Sequence, residues 1–79
     1  MTIRVRLFAA LRDEAGASVV EADGATAGEV ADSLAERFGE RFAKIASVGQ
    51  VVVNGERATR DTLLTEGDEL ALLPPVSGG

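Results

Sequence analysis

The chain has 79 residues, so it is expected to form one domain around a single small core. Thirteen acidic and eight basic residues give a net charge of −5, which argues against a nucleic-acid partner, and no apolar run approaches the ~20 residues of a membrane-spanning helix. Cysteine and histidine are absent, which excludes disulfides and thiolate chemistry and removes the commonest general base and metal ligand. We therefore expect a cytoplasmic protein that binds no metal and no cofactor of its own.

The first part of the chain predicts a β-hairpin. Apolar and polar residues alternate strictly over residues 2–8, which predicts a half-buried strand. Its inward-facing side chains are Ile3, Val5 and Leu7. Residues 9–17 predict a loop that contains no more than a short helical turn, and residues 18–22 predict the second strand of the hairpin.

The middle of the chain carries the clearest helix signal. Thr26 and Glu29 fit a capping box, in which both side chains satisfy free backbone N–H groups. Gly39 stands where the residue after a helix belongs. An apolar stripe joins these two ends and consists of Ala27, Val30, Ala31, Leu34, Ala35 and Phe38. Residues 40–49 are predicted to be irregular or weakly helical, with Phe42 packed inward.

Three short strands are predicted in the C-terminal half. Residues 50–53 are rich in β-branched side chains, and the Asn54-Gly55 pair after them predicts a tight hairpin turn, because both positions tolerate a positive φ. Residues 56–58 form the brief return strand. Residues 69–73 form the last strand, with Leu70 and Leu72 on its inner side.

This order of elements predicts an α+β domain over residues 1–73. A right-handed crossover through the helix makes a later strand parallel to an earlier one, so the prediction is a mixed sheet of about five strands curled over one main helix. That is the β-grasp, or ubiquitin-like, arrangement. Leu63 and Leu64, which precede the last strand, are expected to cover the core. Residues 74–79 are expected to form an extended tail.

Two apolar residues face away from the predicted core. By strand alternation Phe8 and Leu73 point outward, each at the C-terminal end of its strand, and they become neighbours if the two strands run parallel. Arg4 and Arg6 lie on the same outer face and are suited to an acidic partner surface. These residues form a candidate partner-binding patch beside the tail. The alternative interpretation is an ordinary solvated face, since isolated exposed apolar residues are common.

The chain ends with the residues LLPPVSGG. Proline cannot donate to a sheet ladder, so the Pro-Pro pair ends the strand and stiffens the chain, and glycine fits a channel too narrow for any side chain. The residues expected to thread into a partner are Pro74, Pro75, Val76, Ser77, Gly78 and Gly79. A carboxylate becomes a useful acyl donor once it is joined to AMP, so the Gly79 carboxylate is the candidate reactive group. The alternative is a frayed end without function.

The chain resembles the small subunit of molybdopterin synthase, in the MoaD/ThiS family of ubiquitin-like sulfur carrier proteins. The resemblance rests on EGDELALLPPVSGG at residues 66–79 and on VRLFAALRDEAG at residues 5–16, and it continues through the capped helix and the VVVNG hairpin. The family places apolar partner-binding residues at the positions of Phe8 and Leu73. It also tends to place an apolar residue in the return strand, where this chain has Arg57, so a polar contact is expected from Arg57 instead.

The resemblance implies a complete sulfur-transfer cycle. A ubiquitin-activating-enzyme-like adenylyltransferase would use ATP to adenylate the Gly79 carboxylate, and sulfur would replace AMP to give a thiocarboxylate. The tail would then enter the large subunit of molybdopterin synthase, within a heterotetramer, and give its sulfur to cyclic pyranopterin monophosphate to build the dithiolene that holds molybdenum. The chain itself would be a non-catalytic subunit.

Three other functions stay open at this point. The chain could be a related sulfur carrier for thiamine, cysteine or tRNA thiolation, although the PPVSGG ending favours molybdopterin. It could be a ubiquitin-like modifier whose Gly79 forms isopeptide bonds with lysines, and its own sole lysine is Lys44. It could also be an interaction module with an inert tail.

Overall fold

The computed structural model describes residues 2–75, which form a five-stranded mixed sheet and three helices. The strands are β1 (Thr2–Leu7), β2 (Val19–Asp23), β3 (Gln50–Val53), β4 (Glu56–Ala58) and β5 (Glu69–Leu73), and the helices are α1 (Ala9–Ala15), α2 (Ala27–Phe38) and α3 (Glu40–Val48). The strand order across the sheet is β2-β1-β5-β3-β4. This arrangement confirms the mixed β-grasp sheet that the sequence predicts.

The central strand β5 runs parallel to its neighbour β1, and the other neighbouring pairs are antiparallel. Leu7 of β1 lies opposite Leu72 of β5, near the last residue of each strand. Both strands therefore end at the same end of the molecule. We call this the tail end, and we call the opposite end, where β5 begins at Glu69, the anchored end.

One face of the sheet packs against the helices. The inward residues predicted for β1 and β5 are buried, and side chains from all three helices join them in one core. The largest of these side chains are Ile3, Val5, Leu7, Leu11, Val30, Leu34, Phe42, Leu70 and Leu72. Fully burying a side chain of this kind contributes about 1.5–3 kcal/mol. Among residues 2–75 no polar or charged residue is buried, so the core is held by apolar packing.

Helix α2 begins with the predicted cap. The Thr26 hydroxyl accepts a hydrogen bond from the Glu29 N–H (3.2 Å), and a Glu29 carboxylate oxygen accepts one from the Ala25 N–H (3.0 Å). The helix ends at Gly39, whose φ of 101° is open to glycine and rare for other residues. The capping box and the terminal glycine are confirmed, and they set the length of this helix.

Two segments are more helical than the sequence predicts. Helix α1 replaces a loop that was expected to contain no more than a short helical turn, and α3 replaces a segment expected to be irregular or weakly helical. Neither helix has a side-chain cap. The first residue of α1, Ala9, has a φ of 50°, for which the sequence gives no signal. Burial of Leu11 and Phe42 in the shared core explains both helices, because tertiary packing supplies most helical stability in short segments.

The prediction for Leu63 is wrong. Leu64 is buried as expected, but the Leu63 side chain is 76% exposed. The backbone explains the difference, because Leu63 forms a β-bridge with Thr26 and the next N–H, of Leu64, donates to Ala25 O (2.9 Å). Successive side chains of an extended segment point to opposite sides, so only one of the two leucines faces the core.

The outermost strands are β2 and β4. Arg37 of α2 donates from its guanidinium to the main-chain oxygen of Glu21 in β2 (2.8 Å), and β4 has only three residues. Within residues 2–75, no helix combines the length and the apolar character needed to cross a membrane.

Candidate functional site

The face of the sheet turned away from the helices, which we call the outer face, carries four of the predicted site residues. Strand alternation and register place these residues on it: Arg4, Arg6, Val19, Glu21, Gln50, Val52, Arg57, Glu69, Ala71 and Leu73. The predicted Arg4, Arg6, Arg57 and Leu73 thus share one surface, although they come from three strands. Arg6 and Arg57 stand in the same row across the sheet, with Ala71 and Val52 between them.

Phe8 and Leu73 both lie at the tail end. Leu7 lies opposite Leu72 in the parallel pair. The next residue along each chain segment, Phe8 after β1 and Leu73 at the end of β5, is therefore placed beside the other. Phe8 is 39% exposed and precedes α1, and its main-chain oxygen accepts from the Leu11 N–H (3.1 Å). This register agrees with the predicted neighbourhood, but Leu73 is half-buried and not exposed as expected. It belongs to a strand flanked on both sides, which leaves less of its side chain to solvent.

The arginines of the outer face alternate with acidic residues. Arg4 lies opposite Glu21 on one side and Glu69 on the other, and Arg6 Nε is 3.8 Å from Glu69 Oε1. Both side chains of that ion pair are about half exposed, and pairs of this kind contribute only about 0–1 kcal/mol. The surface is therefore a pattern of alternating charges. Such a pattern favours one orientation of a partner more than it adds affinity.

An apolar strip at the centre of this surface was not predicted in full. Val52 and Ala71 are half-buried and lie opposite each other on the outer face, with Leu73 two residues further along β5. The sequence QVVV has no alternation, so it does not show which valine faces outward. The hairpin turn does contain that information, because a two-residue turn at Asn54 and Gly55 places Val52 opposite Arg57.

Strand β5 stops at Leu73, as predicted, and is followed by the two prolines. Pro74 is half-buried and Pro75 is exposed, and we call Leu73, Pro74 and Pro75 the tail root. On the other side of the root from Phe8, Val48 at the end of α3 is 65% exposed. The remaining residues predicted to thread into a partner, Val76, Ser77, Gly78 and Gly79, lie outside the described residues.

Several acidic residues of the body take part in caps, turns and ion pairs. In the part of the chain that the structure describes, no group of three or more carboxylate side chains is placed to hold a metal ion. The Thr65 N–H, and then the Asn54 side chain, donate to the Asp68 carboxylate and hold its pKa below the usual range. Asn54 also accepts from the Glu69 N–H (2.9 Å), so this cluster fixes the start of β5.

The chain is similar to several small proteins, among them one named as a modifier protein and one named as a sulfur carrier subunit. It is 38% identical to Small archaeal modifier protein 1 of Haloferax volcanii, over 94% of this chain and 97% of that one, and the crystal structure of that protein has a TM-score of 0.80 over 100% of both chains, at 35% identity. It is 33% identical to the molybdopterin synthase sulfur carrier subunit of Haemophilus influenzae, over 98% and 99% of the two chains. A chain in the crystal structure of the Amycolatopsis orientalis BexX/CysO complex is 30% identical, with a TM-score of 0.79 over 98% and 99% of the two chains.

The sequence model of the ThiS family matches residues 5–79. The match extends from the first strand through the whole domain, and it agrees with the resemblance found in the two quoted stretches of sequence. The β-grasp order of the strands is the architecture of these small ubiquitin-like proteins, and this structure shares it at high TM-score. This chain belongs to the ThiS family of ubiquitin-like sulfur carriers.

Proposed function

We propose that this protein is the sulfur-carrying small subunit of molybdopterin synthase. The observation that carries the proposal is the meeting of three features at the tail end: the open outer face, exposed Phe8, and the Pro-Pro root of the tail. A partner that binds the outer face receives the tail next to its binding site. The likeness to the Haemophilus influenzae subunit and the PPVSGG ending favour molybdopterin among the products of the family.

The reactive group in this proposal is the carboxylate of Gly79. It attacks the α-phosphorus of ATP in an adenylyltransferase partner, pyrophosphate leaves, and an acyl adenylate forms. Hydrosulfide then attacks the acyl carbon, AMP leaves with the bonding electrons, and the thiocarboxylate remains. If the sulfur comes from a persulfide, the first product is an acyl disulfide, and a thiol must reduce its S–S bond by two electrons. The need for ATP places this chemistry in the cytoplasm.

The body of the protein acts in this scheme by docking. Phe8 and Leu73 serve as the apolar anchors on the large subunit, and the charged residues at the rim, Arg4, Arg6 and Arg57, fix the orientation. The tail, from Pro74 to Gly79, then delivers the thiocarboxylate to cyclic pyranopterin monophosphate. Two such deliveries build the dithiolene. One carrier at each end of a large-subunit dimer gives a heterotetramer.

The test is intact-mass analysis of the chain after incubation with ATP, an activating enzyme of this family and a sulfur source. We expect a mass gain equal to sulfur minus oxygen, located on Gly79. Deleting Gly79, or adding one alanine after it, is expected to abolish the gain and to leave the fold unchanged by circular dichroism. Normal sulfur transfer by the extended variant would refute the threading of the tail.

A protein modifier is the second candidate, and the 38% identity to Small archaeal modifier protein 1 favours it. In that case the amine of a target lysine attacks the activated Gly79, and an isopeptide bond forms. The two functions are separated by their products: molybdopterin from the loaded carrier and the large subunit, or conjugates that survive denaturing gels. Lys44 is exposed on α3, so a Lys44→Arg variant tests whether conjugates form between copies of this chain.

A further inference from the structure

We propose that Gly49 is a positioning residue that aims the tail. It lies between the end of α3 and the start of β3, and it leaves the space that the main-chain oxygen of Leu73 occupies at the tail root. The inference rests on the proposed function, because it concerns how the tail reaches a partner. It adds a residue that has no contact of its own with the reacting group.

The contact itself shows why glycine is needed at this position. The backbone of Gly49, with φ −88° and ψ −164°, is extended and open to any residue, so its conformation does not require glycine. Space does. A Cβ at residue 49 would overlap the Leu73 oxygen, and it would also lie 3.2 Å from the Leu73 carbonyl carbon and 3.3 Å from Ile45 O. The main-chain atoms of Leu73 and Ile45 therefore leave no room for the added methyl group.

The tail root transmits such a displacement outward. The Leu73 carbonyl carbon is bonded to the nitrogen of Pro74, so moving the oxygen turns the first peptide of the tail. A residue before proline is restricted to extended conformations, and both prolines have a fixed φ. These restrictions stiffen the root, so a turn at Leu73 is carried into the two prolines. A six-residue tail that is extended on entering a partner would span up to about 20 Å, so a turn of about 10° at Leu73 would move its far end by about 3.5 Å.

The chain offers a matched control in Gly24. A Cβ there would lie 2.8 Å from both Val30 Cγ2 and Val30 N, so alanine is also unwelcome there on steric grounds, although the overlap is smaller than at residue 49. Gly24 follows β2 at the anchored end, where Asp23 lies opposite Thr2, so it is remote from the tail root. Alanine at either position is expected to destabilise the fold, but only alanine at position 49 displaces the start of the tail.

The experiment compares Gly49→Ala with Gly24→Ala in the complete cycle. Both variants are expected to have a lower Tm. Gly49→Ala is expected to lower the rate of sulfur transfer at saturating carrier by about tenfold or more, because small misplacements of a reacting group are costly. Its Kd for the large subunit is expected to change by a smaller factor than its rate, since Phe8 and the arginines of the outer face still dock. Gly24→Ala is expected to keep the native saturated rate.

The possible outcomes separate this inference from the proposed function. A native saturated rate in Gly49→Ala, or an equal loss in Gly24→Ala, overturns the role of Gly49. If the native chain itself gains no sulfur under any condition, the proposed function fails instead.

A second variant tests the stiff root even if Gly49→Ala does not fold. Pro74→Ala removes the fixed φ at the root and frees Leu73 from the restriction before proline. We expect it to lower the saturated rate and leave Tm near the native value. In the Pro74→Ala background, Gly49→Ala is expected to cost a smaller factor in rate, because the turn is absorbed at residue 74. An unchanged rate in Pro74→Ala, or the same factor in both backgrounds, contradicts transmission through the root.

Discussion

The two ends of the molecule are built in different ways. At the anchored end, polar side chains hold the loops: Asn54 bonds to Asp68 and to the Glu69 N–H, and Asp68 accepts from the Thr65 N–H. At the tail end, apolar side chains are exposed, and Leu73 is located by its strand pairing and by close backbone packing.

This difference shows how a small domain can be both rigid and adhesive. Polar contacts fix a loop well, but they also satisfy the groups that a partner would use. At the anchored end the polar groups form hydrogen bonds with one another, and these bonds hold the start of β5 in place. The other end of the same strand then presents apolar atoms and backbone in a fixed position. Changes at the two ends should therefore have separate effects, on stability at one and on binding at the other.

The largest separate effect is expected from charge at the tail end. Phe8→Glu, or Leu73→Glu, is expected to weaken binding to the large subunit by more than about 1 kcal/mol, because a buried interface anchor is replaced by a charge. Titration calorimetry measures the change. Leu63→Glu is the matched control, since Leu63 is an exposed leucine beside Thr26 at the anchored end. Equal losses at both ends would contradict the comparison, and unchanged affinity in both tail-end variants would leave them as ordinary solvated residues.

A smaller effect, on stability, is expected from Asn54→Gly. Glycine keeps the positive φ of this position (51°) and removes the hydrogen bonds to Asp68 and Glu69. Each such bond contributes about 0.5–1.5 kcal/mol, so we expect the free energy of unfolding to fall by about 1–2 kcal/mol in urea titrations. Affinity for the large subunit should stay the same. A loss of affinity with no loss of stability would reverse the roles assigned to the two ends.

The smallest effect is a dependence on pH at Asp68. Its pKa is lower in the folded chain than its ordinary value of 3.8, because the Thr65 N–H and the Asn54 side chain favour the carboxylate. The stabilisation is therefore fully present above pH 3.8 and is lost as the pH falls through the lower, folded pKa. Asp68→Asn removes this titration. We expect thermal unfolding of the native chain to be more sensitive to acid than that of the variant, and parallel curves would contradict this.

The strands and α2 were predictable because their signals are local. Alternation in β1, the Asn54-Gly55 turn and the Thr26 cap each depend on neighbours in sequence. Helices α1 and α3 lack such caps and depend on burial of Leu11 and Phe42 against distant strands. Local patterns do not contain that information.

The candidate site divides in the same way. Phe8 was found because it breaks the alternation of its own strand. Val52 was missed because a run of valines does not show which side chain faces outward. The half-burial of Leu73 depends on the strands on either side of it. The role of Gly49 follows from its contact with a carbonyl far along the chain, and a glycine between a helix and a strand gives no sign of it.

The hydrogen bond from Arg37 to the main-chain oxygen of Glu21 has a consequence for aggregation. An open sheet invites other chains to add strands at its margins, which is a common beginning of aggregation. Here one margin is obstructed by a guanidinium and the other is only three residues long. Both features disfavour the addition of a strand from another copy of the protein at these two margins.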